Sequence, residues 1–249
     1  MSIITLLTDY GTADSYVAEV KAALLSAAPG VTLVDVTHEV PPGDVAAGQY
    51  LLGRTWPRFP PGTVHVAVVD PGVGTPRRAL AAEDRGHRFV APDNGLLSVL
   101  SREARFVALS VPEHAAPTFH GRDVFAPAAA RLATGSSLEA LGPPVADAYH
   151  SPLPTPAREE EEVVGEVIYV DRFGNLVSNI PSPLVAPGAT IVVGTAEVVT
   201  VHRTFADVAP GELVAYVGSG ATVEIGLRDG SAARRLGIGP GASVRARTP

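Results

Sequence analysis

Three acidic segments, each broken by glycine, could form the reactive edge of a sheet: Thr8-Asp9-Tyr10-Gly11, Asp70-Pro71-Gly72-Val73-Gly74-Thr75-Pro76-Arg77-Arg78 and Pro92-Asp93-Asn94-Gly95. Each follows an apolar run that reads as a β-strand, and open parallel sheets collect ligands beyond the carboxyl ends of their strands. Taken singly, each is accounted for by a polar turn headed by an Asp. Three of them converging at one sheet edge point to a site. The glycines after Asp70 let the backbone turn tightly and bring Arg77 or Arg78 back towards its carboxylate. An Asp beside an Arg stays ionised and suits an acceptor that orients a water or a substrate hydroxyl, although a structural ion pair explains the same pairing equally well. Gly72-Val73-Gly74 is no dinucleotide fingerprint, because Arg77 stands where the last glycine should be and the turn follows the third strand rather than the first.

Among the histidines, His120 stands out, since Phe119-His120-Gly121-Arg122-Asp123 places it in a loop at the start of a helix. His65 falls inside a predicted strand. His38, His87, His114, His150 and His202 lie in polar stretches and read as solvated or structural. No His-x-x-x-His spacing occurs, and carboxylates spread one per strand end make a poor metal site, so none is expected.

These residues need a scaffold. Short apolar runs at 3–7, 31–36, 64–69 and 88–91 alternate with amphipathic stretches at 15–27 and 44–56, and 96–102 follows. This β-α-β rhythm predicts an α/β domain over residues 1–150, a mostly parallel sheet flanked by helices. A further helix over 125–133 is expected to start near Asp123, whose carboxylate could cap it. Prolines at 143, 144, 152, 154 and 156 and the acids of 159–162 read as a linker over about 143–162. Beyond it, runs at 163–170, 190–193, 197–202, 213–217, 222–227 and 243–247 predict a smaller, mostly-β, barrel-like domain over 163–249.

Composition narrows the chemistry. The 249 residues include no cysteine, which excludes disulfides, thiolate catalysis and cysteine-ligated zinc. Lys21 is the sole lysine, so a Walker-type phosphate loop is absent. A net charge of −7 argues against a nucleic-acid partner. No apolar run is long enough to span a membrane and the first residues lack a signal-peptide pattern, so a cytoplasmic protein is expected.

In order along the chain, Thr8-Asp9-Tyr10-Gly11, Asp35-Val36-Thr37-His38, Asp70-Pro71-Gly72-Val73-Gly74, Pro92-Asp93-Asn94-Gly95-Leu96, Phe119-His120-Gly121-Arg122-Asp123 and Asp171-Arg172-Phe173-Gly174-Asn175 resemble the S-adenosyl-L-methionine (SAM) hydroxide adenosyltransferases, relatives of the fluorinases and chlorinases. The resemblance extends from Asp9 to Glu224. It implies hydrolysis of SAM to adenosine and L-methionine by water or hydroxide attacking C5′ of the ribose, with SAM as the substrate and no cofactor. It further implies an Asp-Arg-His triad, matched by Asp70, Arg77 and His120, with Arg78 as the neighbouring alternative. Asp9 is then expected on the ribose hydroxyls, and Asn175, Ser219, Glu224 and Leu227 around the adenine and methionine portions, Ser219 and Leu227 being placed by spacing alone. Phe173 and Phe205 could be aromatic walls or core.

The halogenating relatives have an uncharged residue where Asp70 stands, a serine where Gly121 stands and a longer insertion after the third-strand loop, all of which favour water over halide here. The resemblance also implies a homotrimer or dimer of trimers, with sites between the first domain of one subunit and the second domain of its neighbour. Two readings compete with this one inside the same resemblance: a SAM- or adenosine-binding sensor without turnover, and a 5′-halogenase. A metal-dependent hydrolase built on Asp9, Asp70 and Asp93 is a further alternative.

Overall fold

Apolar runs without polar alternation fit strands covered on both faces, and Val64–Val68 is buried along its whole length. The computed structural model describes residues 2–159 and 161–247, and the chain divides into two units, Met1–Pro152 and Leu153–Pro249. The first unit contains β1 (Ile3–Thr8), α1 (Tyr16–Ala27), β2 (Thr32–Thr37), α2 (Val45–Thr55), β3 (Val64–Val68), β4 (Ala79–Asp84), β5 (His87–Pro92), β6 (Arg105–Leu109), α3 (Ala126–Ala133) and β7 (Pro144–Val145). Its sheet runs β2-β1-β3-β5-β4-β6-β7.

The sheet is mixed, which corrects the expectation of a mostly parallel one. Neighbours from β2 to β5 are parallel, whereas β4 pairs antiparallel with both β5 and β6, and β6 antiparallel with β7. The cause is β4, an alanine-rich run of low strand propensity that becomes a strand because its neighbours bury it from both sides. It joins β5 through Arg85 and Gly86, both at positive φ (47° and 79°), the geometry of a tight hairpin turn. Because β1, β3 and β5 are parallel, the segments after them leave from one edge of the sheet.

Ile4 and Leu6 of β1 join Val66, Val20 and Leu24 of α1, and Phe125 and Leu132 in one buried cluster. The alternate residue Thr5 bonds His65 at 2.8 Å (Oγ1 to Nδ1), and His65 Nε2 lies 3.2 Å from His87 Nδ1. His87 is therefore buried rather than solvated, with Trp56 edge-on to it at 5.0 Å. α2 is capped by Asp44, whose carboxylate accepts the Ala47 N–H at 2.9 Å. Asp123 caps nothing: its carboxylate takes the Ala116 N–H at 2.9 Å and the guanidinium of Arg122, and a π-helical turn, Gly121–Phe125, precedes α3.

The stretch after β7 is tied down by side chains. Arg78 donates to Asp93 Oδ2 and to Asp147 Oδ1, both at 2.7 Å, and Asp93 Oδ1 accepts the Tyr149 N–H at 2.7 Å. Buried Gln49 donates to the carbonyls of Gly95 and Ser151, while Ser98 Oγ accepts the Ser151 N–H at 2.9 Å.

The second unit contains β8 (Ala157–Glu159), β9 (Glu162–Val170), β10 (Leu176–Pro181), β11 (Thr190–Val193), β12 (Ala196–Val199), β13 (Val201–His202), β14 (Leu213–Val217), β15 (Thr222–Leu227), α4 (Ala232–Leu236) and β16 (Ser243–Arg247). Its strands run β12-β11-β16-β9-β10-β15-β14-β13, with β8 on β9, and β12 approaches β14 so that the sheet curls nearly into a barrel. Val167, Ile180, Ile191 and Ile225 fill its core. Among the described residues, no helix is long and apolar enough to cross a membrane.

Two outcomes follow from these contacts. Burial, and then the charge of His87, hold His65 down to about 3 from an ordinary 6.5. The unfolded chain therefore binds the extra proton, and this contribution to stability is complete above pH 6.5 and lost as pH falls from there towards 3, at about 1.4 kcal/mol per pH unit. Urea midpoints measured across that range are expected to fall more steeply for the wild type than for Thr5→Val/His65→Phe; equal slopes would refute the assignment. Separately, Arg78→Ala is expected to speed amide exchange at Tyr149 by about tenfold, since it releases Asp93. Unchanged exchange in that variant would show that Arg78 does not hold the segment.

Candidate active site

Asp70, two residues beyond β3, and Arg77, two residues before β4, face each other across the glycine turn. Arg77 Nε donates to Asp70 Oδ1 at 3.0 Å and Nη2 donates to Oδ2, a two-pronged pair whose side chains are only 9% and 6% exposed. Nη2 also donates to His120 Nδ1 at 2.9 Å. A guanidinium has no acceptor, so Nδ1 carries no proton and the imidazole proton sits on Nε2. Burial, and next the charge of Arg77, hold His120 below its ordinary value, with Asp70 and Asp123 opposing, which favours the neutral ring. Arg78, committed to Asp93 and Asp147, faces away from Asp70. Of the two arginines left open by the sequence, Arg77 is the one that reaches Asp70, and Asp93 anchors the segment after β7.

Asp9 follows β1 on the same edge. Its Oδ2 accepts the Gly43 N–H at 2.9 Å, and Gly43 adopts φ 72° to present that amide. Burial pushes the Asp9 carboxyl above its usual range; the Gly43 amide opposes this and the charge of Asp70 adds to it. Tyr10 is pushed up as well, by burial first and then by Asp9 and Asp70. Its ring meets Phe119 and Tyr16 edge-on at 5.8 and 6.2 Å. A Cβ on Gly121 would lie 2.2 Å from the Tyr10 hydroxyl, so a side chain at position 121 requires Tyr10 to shift. Among the described residues, no group of three or more histidines or acids could hold a metal ion.

In the second unit, Asp171 Oδ1 accepts the N–H groups of Phe173 and Asn175, each at 2.9 Å, and Oδ2 accepts Asn175 Nδ2 at 2.8 Å. This loop buries Asn175 while leaving Phe173 74% exposed. Register sets β10 beside β15, with Val177 opposite Glu224, and Glu224 Oε2 accepts the Tyr216 hydroxyl at 2.8 Å. Tyr216 lies 4.8 Å from Phe205, whose ring crowds Gly226 together with Asn175. Asn175 and Phe205 thus meet β15 at Gly226 and Tyr216 meets it at Glu224, on one face of the strand, with Ser219 in the turn before Thr222. The side chain of Leu227, next to Gly226, packs instead on the core and against Gly230. Gly43 and Tyr216 escape a sequence reading: a backbone amide has no side-chain signature, and a lone Tyr in a strand resembles core.

Residues 4–142 match the SAM hydroxide adenosyltransferase N-terminal domain, and residues 165–245 the corresponding C-terminal domain. A curated protein of Thermus thermophilus named (R)-S-adenosyl-L-methionine hydrolase is 44% identical, over 98% of this chain and 99% of its own. One of the same name from Salinispora arenicola is 43% identical over 97% and 96%. A fluorinase from Actinoplanes sp. is 33% identical over 72% of this chain and 71% of its own. The crystal structure of an uncharacterized conserved protein from Thermotoga maritima superposes with a TM-score of 0.91 at 35% identity, covering all of both chains. The chain belongs to the SAM hydroxide adenosyltransferase family.

Proposed function

We propose that this protein hydrolyses SAM to adenosine and L-methionine, with Asp70, Arg77 and His120 directing water onto C5′ of the ribose. The observation that carries the reading is the shared guanidinium: one buried Arg77 binds both oxygens of Asp70 and the imidazole of His120, beside Asp9. A sulfonium leaves as a neutral thioether, so no acid is needed for the leaving group and only the nucleophile requires help. The C5′–O bond forms as C5′–S breaks, sulfur keeps the bonding pair, and the water proton passes to an acceptor. Arg77 cannot accept it, and His120 Nδ1 is already occupied. Asp70 is assigned as the acceptor, and His120 Nε2–H as a donor that orients the incoming oxygen. Positioning and proton acceptance of this kind are worth about 10²–10⁴-fold.

Asp9 is assigned to the ribose hydroxyls, and Asn175, Glu224 and Ser219 to the polar groups of adenine and methionine. Leu227, packed on the core, is assigned only an indirect part. The halogenating relatives carry a serine where Gly121 stands, and here the Tyr10 hydroxyl fills the space a side chain would need at that position. The carboxylate at Asp70 favours water over a halide, since it would repel an anion.

Incubation with SAM in ¹⁸O-water is expected to place the label in the 5′-hydroxyl of adenosine and none in methionine, from the first turnover onwards. Unlabelled adenosine in that first turnover would indicate an Asp70 ester opened at its carbonyl and would overturn direct attack. No adenosine at all would leave a binding protein, and halide-dependent product would mark a halogenase.

The same reading extends to assembly. The candidate residues are divided between two units, and a small β unit presenting Phe173 on a rigid loop is suited to closing over a neighbouring subunit's triad. Light scattering at assay concentration is expected to give three or six times the 25.7 kDa chain mass. A fully active monomer would sink the shared-site arrangement.

A further inference from the structure

His38, read from its polar sequence surroundings as solvated or structural, is buried and lies outside the triad. Its Nδ1 lies 2.8 Å from Thr8 Oγ1, and Thr8 is itself fully buried. Its Nε2 lies 3.1 Å from Asp35 Oδ1, an ion-pair distance outside good hydrogen-bond geometry, and has no other partner among the described residues. Asp35 is held in turn by Lys21, the sole lysine, at 2.6 Å. At the other end, Thr8 Oγ1 accepts the Tyr10 N–H at 3.3 Å.

The bonds have one consistent direction. With a proton on Nε2 facing the Asp35 carboxylate, Nδ1 is an acceptor; the Thr8 hydroxyl donates to it and keeps its oxygen free for the Tyr10 amide. The His38 backbone grips the same loop, its carbonyl accepting the Gly11 N–H at 2.7 Å. Asp9 therefore stands between two residues, Thr8 and Tyr10, that are both tied to His38 through one hydroxyl. The Thr8–His38–Asp35 sequence has the residue types of a nucleophilic triad, but the Thr8 oxygen is sealed from solvent and cannot meet a substrate.

We propose that Asp35, His38 and Thr8 form a positioning relay that fixes the direction of the Asp9 carboxylate and thereby sets discrimination for the ribose hydroxyls. The inference rests on the assignment of Asp9 to the ribose. An apolar residue of similar volume at position 38 would preserve packing but leave the Thr8 hydroxyl free to rotate, and a small misplacement of a binding carboxylate is costly.

The test compares calorimetric binding of adenosine and of 2′,3′-dideoxyadenosine to the purified full chain, which requires no turnover. The wild type is expected to prefer adenosine by at least about tenfold and Asp9→Ala to abolish that ratio. Thr8→Val and His38→Leu are expected to shrink the ratio by about fivefold, and Thr8→Ser, which keeps the hydroxyl, to recover most of it. A ratio unchanged in folded Thr8→Val and His38→Leu, with both nucleosides weakened alike, would reduce the relay to a structural feature and overturn the proposal. A ratio retained in Asp9→Ala would overturn it at its foundation. If either apolar variant fails to fold, Asp35→Asn at the exposed end is measured in its place, with about a twofold fall expected and no fall counting against the relay. Binding with normal discrimination but without adenosine release from SAM would fail the hydrolase reading alone.

Discussion

One guanidinium organises the chemistry of the first unit. Arg77 must neutralise Asp70, direct its oxygens and fix the tautomer of His120, and its rigid fork of donors does all three with two nitrogens. A lysine would supply the charge without the geometry. Burial makes the arrangement strict, because a carboxylate this far from water is tolerable only when paired and hydrogen-bonded. The glycine turn at 72–74 and the antiparallel strand β4 then have a shared purpose: they return the chain so that Arg77 meets the end of β3 from which it has just departed.

The neighbouring arginine shows how adjacent residues divide labour. Arg78 points to Asp93 and Asp147, so two successive guanidiniums serve a buried carboxylate and a surface anchor respectively. Likewise the three acidic strand ends are not equivalent. Asp70 lies near enough to Asp9 to raise the proton affinity of the Asp9 carboxyl, whereas Asp93 is spent on holding the chain after β7.

Much of this was legible in the sequence because strand ends and glycine turns leave local marks. The strands β1, β2 and β3 and the helices α1 and α2 follow from apolar periodicity, and Asp9, Asp70, His120 and the pair Arg77-Arg78 from their loops. The rest fails for identifiable reasons. β4 is Ala-Leu-Ala-Ala, which carries no strand propensity and acquires its form only from β5 and β6. The turn linking it to β5 uses Arg85 and Gly86 where Asn-Gly would have announced a hairpin. β10 is masked by the Asx-type loop before it. Choosing between Arg77 and Arg78 depends on which way each faces across a sheet, and a sequence contains no such information until the register is known.

Gly121 and Tyr10 carry a consequence for how such a site can change through evolution. The Tyr10 ring packs edge-on against Phe119 and Tyr16, so making room for a side chain at position 121 disturbs these ring contacts. A single substitution at either position is penalised, by overlap at one and by a void at the other, while the two together can be neutral. The corner is therefore epistatic: a lineage that acquires a hydroxyl at position 121 has to trim residue 10 first and pass through an intermediate with a loosened aromatic wall. The residue at position 121 is in this sense guarded by a packing barrier between two sequences rather than by its own identity alone.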